Sequence, residues 1–357
     1  MKIKLFFELN ETIKNDWIYL ENNNSNVLPF HQYEWVKQFY EINKFKKNLK
    51  FIFVSVYKNE KAILVFAFTV KKSLIKCIEY LGYPFNDINA PLYNNNYKLS
   101  DEDISYIKKE VLKKLENYAD VVLFRNQPEY ISSEKNKFIF NQFLINKHIC
   151  YRIKNNKDFL SNLLNHKFYK TLNQTEKKLN KITLEEVINE NEIKEIFNFF
   201  YKNKFQQLEQ TNKKNFLKNS LNRDFIKKNF LSKKIKKEIY VLKNDQTILS
   251  MFFSYRTDKS IFYIYPTYDT FFSKYSPGNL ALEIYFEKFH SKFKYFDFTV
   301  GEEMYKQKWS NNKIFLYDSI QIYNIFGLIY YLIIKLNFKL KTFNFLRKIL
   351  SFFRNKM

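Results

Sequence analysis

Two stretches of this chain carry the same succession of local signals: a β-hairpin, a further strand, an amphipathic helix and a buried strand. In the first, the apolar residues of 51–70 predict two strands joined by a polar turn at Lys58–Lys61. A third strand over Leu74–Leu81 runs into Gly82–Asp87, which has turn composition. Ile104, Ile107, Val111, Leu112 and Leu115 recur at helical spacing and predict a helix over Asp101–Tyr118, with Asp120–Phe124 as the strand after it. In the second stretch, Ile239–Leu242 and Ile248–Tyr255 form a hairpin across Lys243–Gln246. Ser260–Tyr265 follows as a strand, Gly278–Phe293 as a helix, and Tyr295–Thr299 and Ile314–Ile322 as strands. Helices over 157–180, Glu190–Phe205 and Asp224–Lys234 precede that run. One order repeated over 357 residues predicts two α/β domains. We divide the chain at 1–155 and 156–320, followed by a tail, 321–357.

Composition narrows the function. The net charge of +24 comes from 60 basic residues, but the arginines are only Arg125, Arg152, Arg223, Arg256, Arg347 and Arg354. Arginine is the residue that reads base edges and grips phosphate bidentately. An even lysine excess reads better as a solvated surface, so nucleic acid is not expected as a partner unless a charged tRNA is a substrate. Cys77 and Cys150 lack metal-ligand spacing, and His31, His148, His166 and His290 are scattered, so no metal is expected. Met1–Leu9 has no secretory pattern, which with the reduced cysteines points to the cytoplasm. Neither half has a Gly-rich dinucleotide or P-loop fingerprint.

The tail has its own character. From Ser319 to Met357 there is no acidic residue. Asn337, Lys341, Asn344, Lys348, Ser351 and Asn355 fall on one helical face, with Leu336, Leu340, Phe343 and Leu346 on the other. The apolar run Ile325–Ile334 is about half of the ~20 residues a spanning helix needs. A basic amphipathic helix suits the surface of an anionic membrane, and packing on the protein's own core is the competing use.

Glycine is scarce, and two of the four, Gly278 and Gly301, lie within one short region, Ile264–Trp309. Ser276-Pro277-Gly278 follows a strand and opens a helix, a place where backbone N–H groups and the helix dipole can receive a phosphate. A plain helix start, with Ser276 as cap and Pro277 in the first turn, explains the same residues.

The block Tyr275-Ser-Pro-Gly278, Phe296-Asp-Phe298, Gly301 and Tyr305-Lys306-Gln-Lys-Trp309 resembles the CelD-like (BioF-like) acetyltransferases of the GNAT superfamily. Weaker echoes lie at Pro29–Trp35 and at Leu81-Gly82 with Asn86-Asp87. The resemblance implies an α/β fold of two tandem GNAT-like domains in a Fem-type arrangement, each a mixed, mainly antiparallel sheet flanked by helices. It implies that Tyr263, Ile264 and Tyr265 flank the pantetheine of an acyl-CoA, acetyl-CoA above all, and that Tyr275, Ser276, Gly278 and Asn279 cradle its pyrophosphate. Candidate catalytic residues are Asp297, Tyr305 and Lys306: Tyr305 as acid toward a departing thiolate, Lys306 for an anionic group. Asp297 is either a proton acceptor or a structural carboxylate facing a backbone N–H. Glu302 and Trp309 are candidates for acceptor contact, Glu302 and neighbouring Glu303 also for the proton, and Trp309 alternatively for core packing.

The expected reaction is N- or O-acyl transfer to a glycan or amino-sugar precursor of the cell envelope or an exopolysaccharide, on the inner face of the cytoplasmic membrane. Fem-type relatives, which take their acyl group from aminoacyl-tRNA, supply a second expectation, to which the basic segment 157–181 is suited. A non-catalytic membrane scaffold is a third.

Overall fold

The structure, a computed structural model, describes residues 1–24, 27–156, 159, 179, 181–211 and 215–339. The expected helix over 157–180, with His166, and the amphipathic pattern beyond residue 339 lie outside the described residues, apart from Phe159 and Leu179.

From the N-terminus the elements are β1 (Lys2–Phe6), α1 (Glu11–Asn22), α2 (Tyr33–Asn43), β2 (Leu49–Lys58), β3 (Lys61–Lys71), β4 (Cys77–Tyr80), β5 (Leu92–Tyr93), α3 (Asp101–Leu115) and β6 (Val121–Pro128). The small hairpin β7 (Tyr130–Ile131) and β8 (Glu134–Lys135) precedes β9 (Phe143–Lys154). Then come β10 (Ile182–Glu186), α4 (Glu190–Gln210), α5 (Ser220–Leu231), β11 (Lys237–Asn244), β12 (Thr247–Arg256), β13 (Ser260–Tyr263) and β14 (Thr267–Tyr268). The chain continues through α6 (Pro277–Phe289), β15 (Tyr295–Val300), α7 (Met304–Trp309), β16 (Asn312–Ile322) and α8 (Ile325–Lys339).

Two compact units divide these elements: Met1–His148 with Phe315–Met357, and Ile149–Ile314. In the first unit the strand order is β1-β2-β3-β4-β6-β16, antiparallel except for β4 and β6, which run parallel with Ile78 opposite Val122. In the second it is β10-β11-β12-β13-β15-β9, antiparallel except for β13 and β15, with Ile261 opposite Phe296. Each unit therefore builds an antiparallel meander, crosses through a helix, and returns parallel to its fourth strand. A parallel return needs such a crossover, which is why a helix separates these strands in both halves.

The closing strands depart from the division at 155 and 320. β9 begins in the first unit and ends in the second, where Arg152 lies opposite Asp297. β16 makes the reverse passage, and its Ile320 lies opposite Leu123. Residues 315–320, expected to end the second domain, thus complete the sheet of the first. Strand edges pair through backbone groups that every residue carries, so side-chain patterning does not name the partner.

Aromatic rings dominate both cores. In the first unit Phe124 and Phe140 lie parallel with centroids 4.0 Å apart. In the second, Tyr240, Phe252, Tyr263, Tyr285, Phe286, Phe296, Phe298 and Trp309 form one buried cluster.

Candidate active site

The start of α6 is built by a strained residue. Ser276 adopts a left-handed conformation (φ 50°, ψ 49°), so its side chain makes no capping bond to the helix. Its backbone carbonyl accepts instead from Asn279 and Leu280 N–H, at 2.9 and 3.1 Å. Pro277 brings no N–H, and its carbonyl is tied to β12 by Ser250 Oγ at 3.0 Å. Gly278 comes next, and a Cβ placed on it meets no atom within 4 Å.

The other three glycines are accounted for by the protein itself. A Cβ on Gly82 (φ +98°) would lie 2.2 Å from Trp35, one on Gly301 (φ +124°) 2.3 Å from Glu303, and one on Gly327 2.3 Å from the Asp120 carbonyl. Gly278 is required neither by the backbone nor by packing. Its missing side chain leaves room at a helix N-terminus with no acidic residue in the first turn. That arrangement fits an approaching pyrophosphate, whose charge the helix dipole stabilises by roughly 0.3–1 kcal/mol in an exposed setting.

The expected flanking residues lie at the end of β13, next to β12, the strand that also holds Pro277. The parallel ladder of β13 and β15 ends at Phe262 opposite Asp297. Past it the chain turns back toward β12, where Ile264 and Tyr265 N–H both donate to the Phe253 carbonyl. Tyr263 and Tyr265 bury their rings, the first against Phe252, Phe296 and Phe298, the second against Phe200, Phe230 and Phe253. The side chains of these two residues are therefore committed to the core.

Asp297 is completely buried. Its Oδ2 accepts from Arg152 Nε (3.1 Å) and a terminal guanidinium nitrogen (2.9 Å), and its Oδ1 accepts from Thr299 N–H (2.8 Å) and the Cys150 thiol (3.0 Å). Burial is the main cause that pushes the Cys150 thiol well above its usual range, with the Asp297 charge adding to it, so the thiol stays a donor. Four donors on one enclosed carboxylate favour the structural alternative for Asp297 over proton transfer, and one of them is the backbone N–H of Thr299. Thr299 takes a left-handed conformation (φ 58°) within β15, where the register with β9 shifts, and the chain turns out of the strand after Val300.

That turn wraps Lys306. Its ammonium donates to the Val300 carbonyl at 2.7 Å and lies 3.1 Å from Glu303 Oε2, and the residue is only 6 % exposed. A side chain at 301 would overlap both charged groups, which explains Gly301. Tyr305 is partly buried, edge-on to Phe298 at 6.2 Å. Burial first and the Glu303 charge second push its hydroxyl above the ordinary tyrosine range, so it keeps its proton at neutral pH.

Trp309 does not serve as an exposed stacking surface. It is 2 % exposed, packs edge-on to Phe286 at 5.4 Å, and donates from Nε1 to Asn279 Oδ1 at 3.0 Å. Its role is to fix the first turn of α6, so two blocks of the motif 30 residues apart are one structural piece. Glu302 and Ser276 are exposed, and Tyr275 is half-buried with the Lys274 ammonium 4.9 Å from its ring centroid. Arg152 and Cys150 were not singled out from the sequence, although an arginine inside a strand of so arginine-poor a chain is a usable signal.

Comparison with known proteins bears on the same part of the chain. Residues 166–307 match a family model described as "Acetyltransferase (GNAT) domain". No match to a curated protein is found. Among solved structures, FemX is similar with a TM-score of 0.56 at 10% identity, over 94% of this chain and 100% of that one. The C-terminal domain of a putative lysylphosphatidylglycerol synthetase from Agrobacterium fabrum gives 0.54 at 10% identity, over 91% and 96%. A conserved protein of unknown function from Bacteroides thetaiotaomicron gives 0.51 at 10% identity, over 89% and 100%. At such identities these likenesses show the fold alone. The matched segment, 166–307, is a GNAT-type acyltransferase domain.

Proposed function

We propose that the second unit transfers an acyl group, acetyl in the first instance, from acyl-CoA to an amine or hydroxyl of a cell-envelope or exopolysaccharide glycan precursor. The observation that carries the donor half is Gly278, the one glycine whose absent side chain opens onto space rather than onto the protein. The thioester supplies the activated acyl carbon. The Ser276–Asn279 turn holds the donor's phosphates, and the backbone at the end of β13 lies alongside its pantetheine. Tyr305 carries the proton for a departing thiolate. Lys306 with Glu303 and Asp297 with Arg152 fix the loop that presents it. Glu302, exposed on the same loop, is free to meet an acceptor.

The acceptor class rests on the CelD-like pattern, which also supports two tandem GNAT-like units; the sparse cysteines and the basic tail support a cytoplasmic enzyme working at the inner membrane face. A second reading, an aminoacyl donor carried on tRNA, is supported by the fold likeness to FemX and to the lysylphosphatidylglycerol synthetase domain.

Isothermal titration with acetyl-CoA and with free CoA decides the donor. We expect micromolar binding (about −8 kcal/mol) that Gly278→Trp abolishes while the fold is retained. Absence of binding at millimolar ligand rejects the CoA reading. Activity destroyed by ribonuclease would then establish the tRNA-borne donor.

A further inference from the structure

The first unit has a surface that acyl transfer does not use. Along one rim of its sheet, where β2, β4 and β6 begin and β3 and β16 end, four chain segments follow one another through backbone hydrogen bonds. Lys72 N–H donates to Asn48 O (2.9 Å), Asp120 N–H to Lys76 O (2.8 Å), and Tyr323 N–H to Asp120 O (3.0 Å). This row contains the loop between α2 and β2, the turn between β3 and β4, the residue before β6, and the lead into α8.

Three of those segments present a large apolar side chain to solvent. Phe45 is 84 % exposed, Leu74 79 %, Ile325 62 % and Phe326 57 %. Helix α8 extends the pattern. It packs Tyr330, Tyr331 and Ile334 on Ile75, Cys77 and Val121, and Gly327 lets it approach Asp120 closely. Leu328, Leu332 and Leu336, one turn apart, stay 40–50 % exposed. Large apolar side chains left exposed on neighbouring segments mark a contact site.

The charge around it has one sign. Lys47, Lys50, Lys72 and Lys76 are exposed beside Phe45 and Leu74. The neighbouring Lys50 ammonium, with Lys76, lowers the pKa of Lys72, a sign of crowded positive charge. Nearby carboxylates are engaged: Glu41 pairs with Lys44, and Asp120 accepts from Lys76 N–H and Asn324. No acidic residue occurs from Ser319 to the C-terminus. The chain's own residues 340–357, which hold Lys341, Arg347, Lys348, Arg354 and Lys356 and no acid, carry the wrong charge to cover this rim, as does a second copy.

We propose that this rim docks on an anionic phospholipid bilayer. Phe45, Leu74 and the exposed stripe of α8 enter the boundary between headgroups and acyl chains, and the lysines meet lipid phosphates. None of the helices among the described residues is long and apolar enough to cross a membrane, so the contact is peripheral. The inference is independent of the acyl-transfer reading and adds a second attachment region to the tail.

The test is flotation of the full chain with vesicles of phosphatidylcholine alone and of phosphatidylcholine mixed with phosphatidylglycerol. We expect binding only to the anionic vesicles, weakening as salt is raised. The double variant Phe45→Ser/Leu74→Ser should bind at least about tenfold more weakly, since each side chain gives up the burial of its apolar surface. Replacing Lys50, Lys72 and Lys76 by Gln should cost about fivefold per lysine. All five substituted positions are exposed loop or strand-end sites, so circular dichroism and acetyl-CoA titration should be unchanged. Three results overturn the proposal: no binding to anionic vesicles, unchanged binding of the loop variants with release only on truncation after Lys339, or a self-association that the same substitutions remove.

Discussion

The two units solve the same local problem in opposite ways. In the first, the crossover helix α3 starts with Ser100, whose hydroxyl accepts from Asp103 N–H at 3.1 Å, and Asp101, Glu102 and Asp103 fill its first turn. The helix N-terminus is closed by its own side chains and carries negative charge already. In the second, α6 starts with an uncapping, left-handed Ser276, then Pro277 and Gly278, with no acid. A shared strand order therefore leaves one helix start finished and the other available. Topology places the two helix starts alike, and the few residues at each crossover decide which one is left open.

The largest effect, loss of donor binding in Gly278→Trp with the fold retained, has its control in the first unit. Gly82→Ala should leave donor affinity alone and destabilise, because Trp35 and the positive φ both resist a side chain. Unfolding in denaturant and calorimetry on the same two variants check both halves of the contrast.

The buried ion pairs offer a second comparison. Asp297 depends on Arg152, whose side chain is 5 % exposed, whereas Glu79 of the first unit is shared between Lys71 and Arg125, both more open to water. Arg152→Met should cost about 3–5 kcal/mol, because it strands a buried carboxylate. Arg125→Met should cost distinctly less. Equal losses in equilibrium unfolding would show that burial is not what separates the two pairs.

Acid should act on the first unit through His31. The ring is buried, receives Leu28 N–H on Nδ1 at 3.2 Å, and has Nε2 2.7 Å from the Ala90 carbonyl, to which it donates. Desolvation lowers its pKa from 6.5 to about 4, outweighing the opposing bond to Ala90. The folded-state value is depressed, so the stabilisation is complete above pH 6.5 and is lost as pH falls toward 4. The total is about 3 kcal/mol. Hydrogen exchange in the first unit should follow that slope, and His31→Gln should flatten it.

Smaller effects sharpen the site itself. Tyr305→Phe should lower kcat by about 10- to 100-fold with KM nearly unchanged, if the hydroxyl is the acid. A change confined to KM would make Tyr305 a packing residue. Smallest of all, Ser100→Ala should cost about 1 kcal/mol of stability and leave donor affinity untouched. A fall in affinity there would break the assignment of the two helix starts.

Much of this architecture is written locally. The β2–β3 and β11–β12 hairpins, the helices α3 and α6, and the strand β15 all lie where periodicity and turn chemistry predict them. The misses are instructive. β1 and β10 are short edge strands with alternating, mostly solvated patterns, visible only once β2 and β11 are there to pair with them. Helix α1 hides its three buried residues, Ile13, Trp17 and Leu20, in a polar sequence. Trp309 carries the same letters whether it stacks on a ligand or closes a core, and only its position against Phe286 and Asn279 distinguishes the two.

By itself, then, the sequence determined the repeated strand and helix order and the unusual turn Ser276-Pro277-Gly278, because periodicity, caps and glycine scarcity act within one or two turns of chain. Only the tertiary structure decided that β9 and β16 pass from one unit to the other and that Asp297 meets Arg152. Those outcomes depend on which backbone edges and buried charges meet across 145 residues or more, and no local pattern of side chains specifies such a meeting.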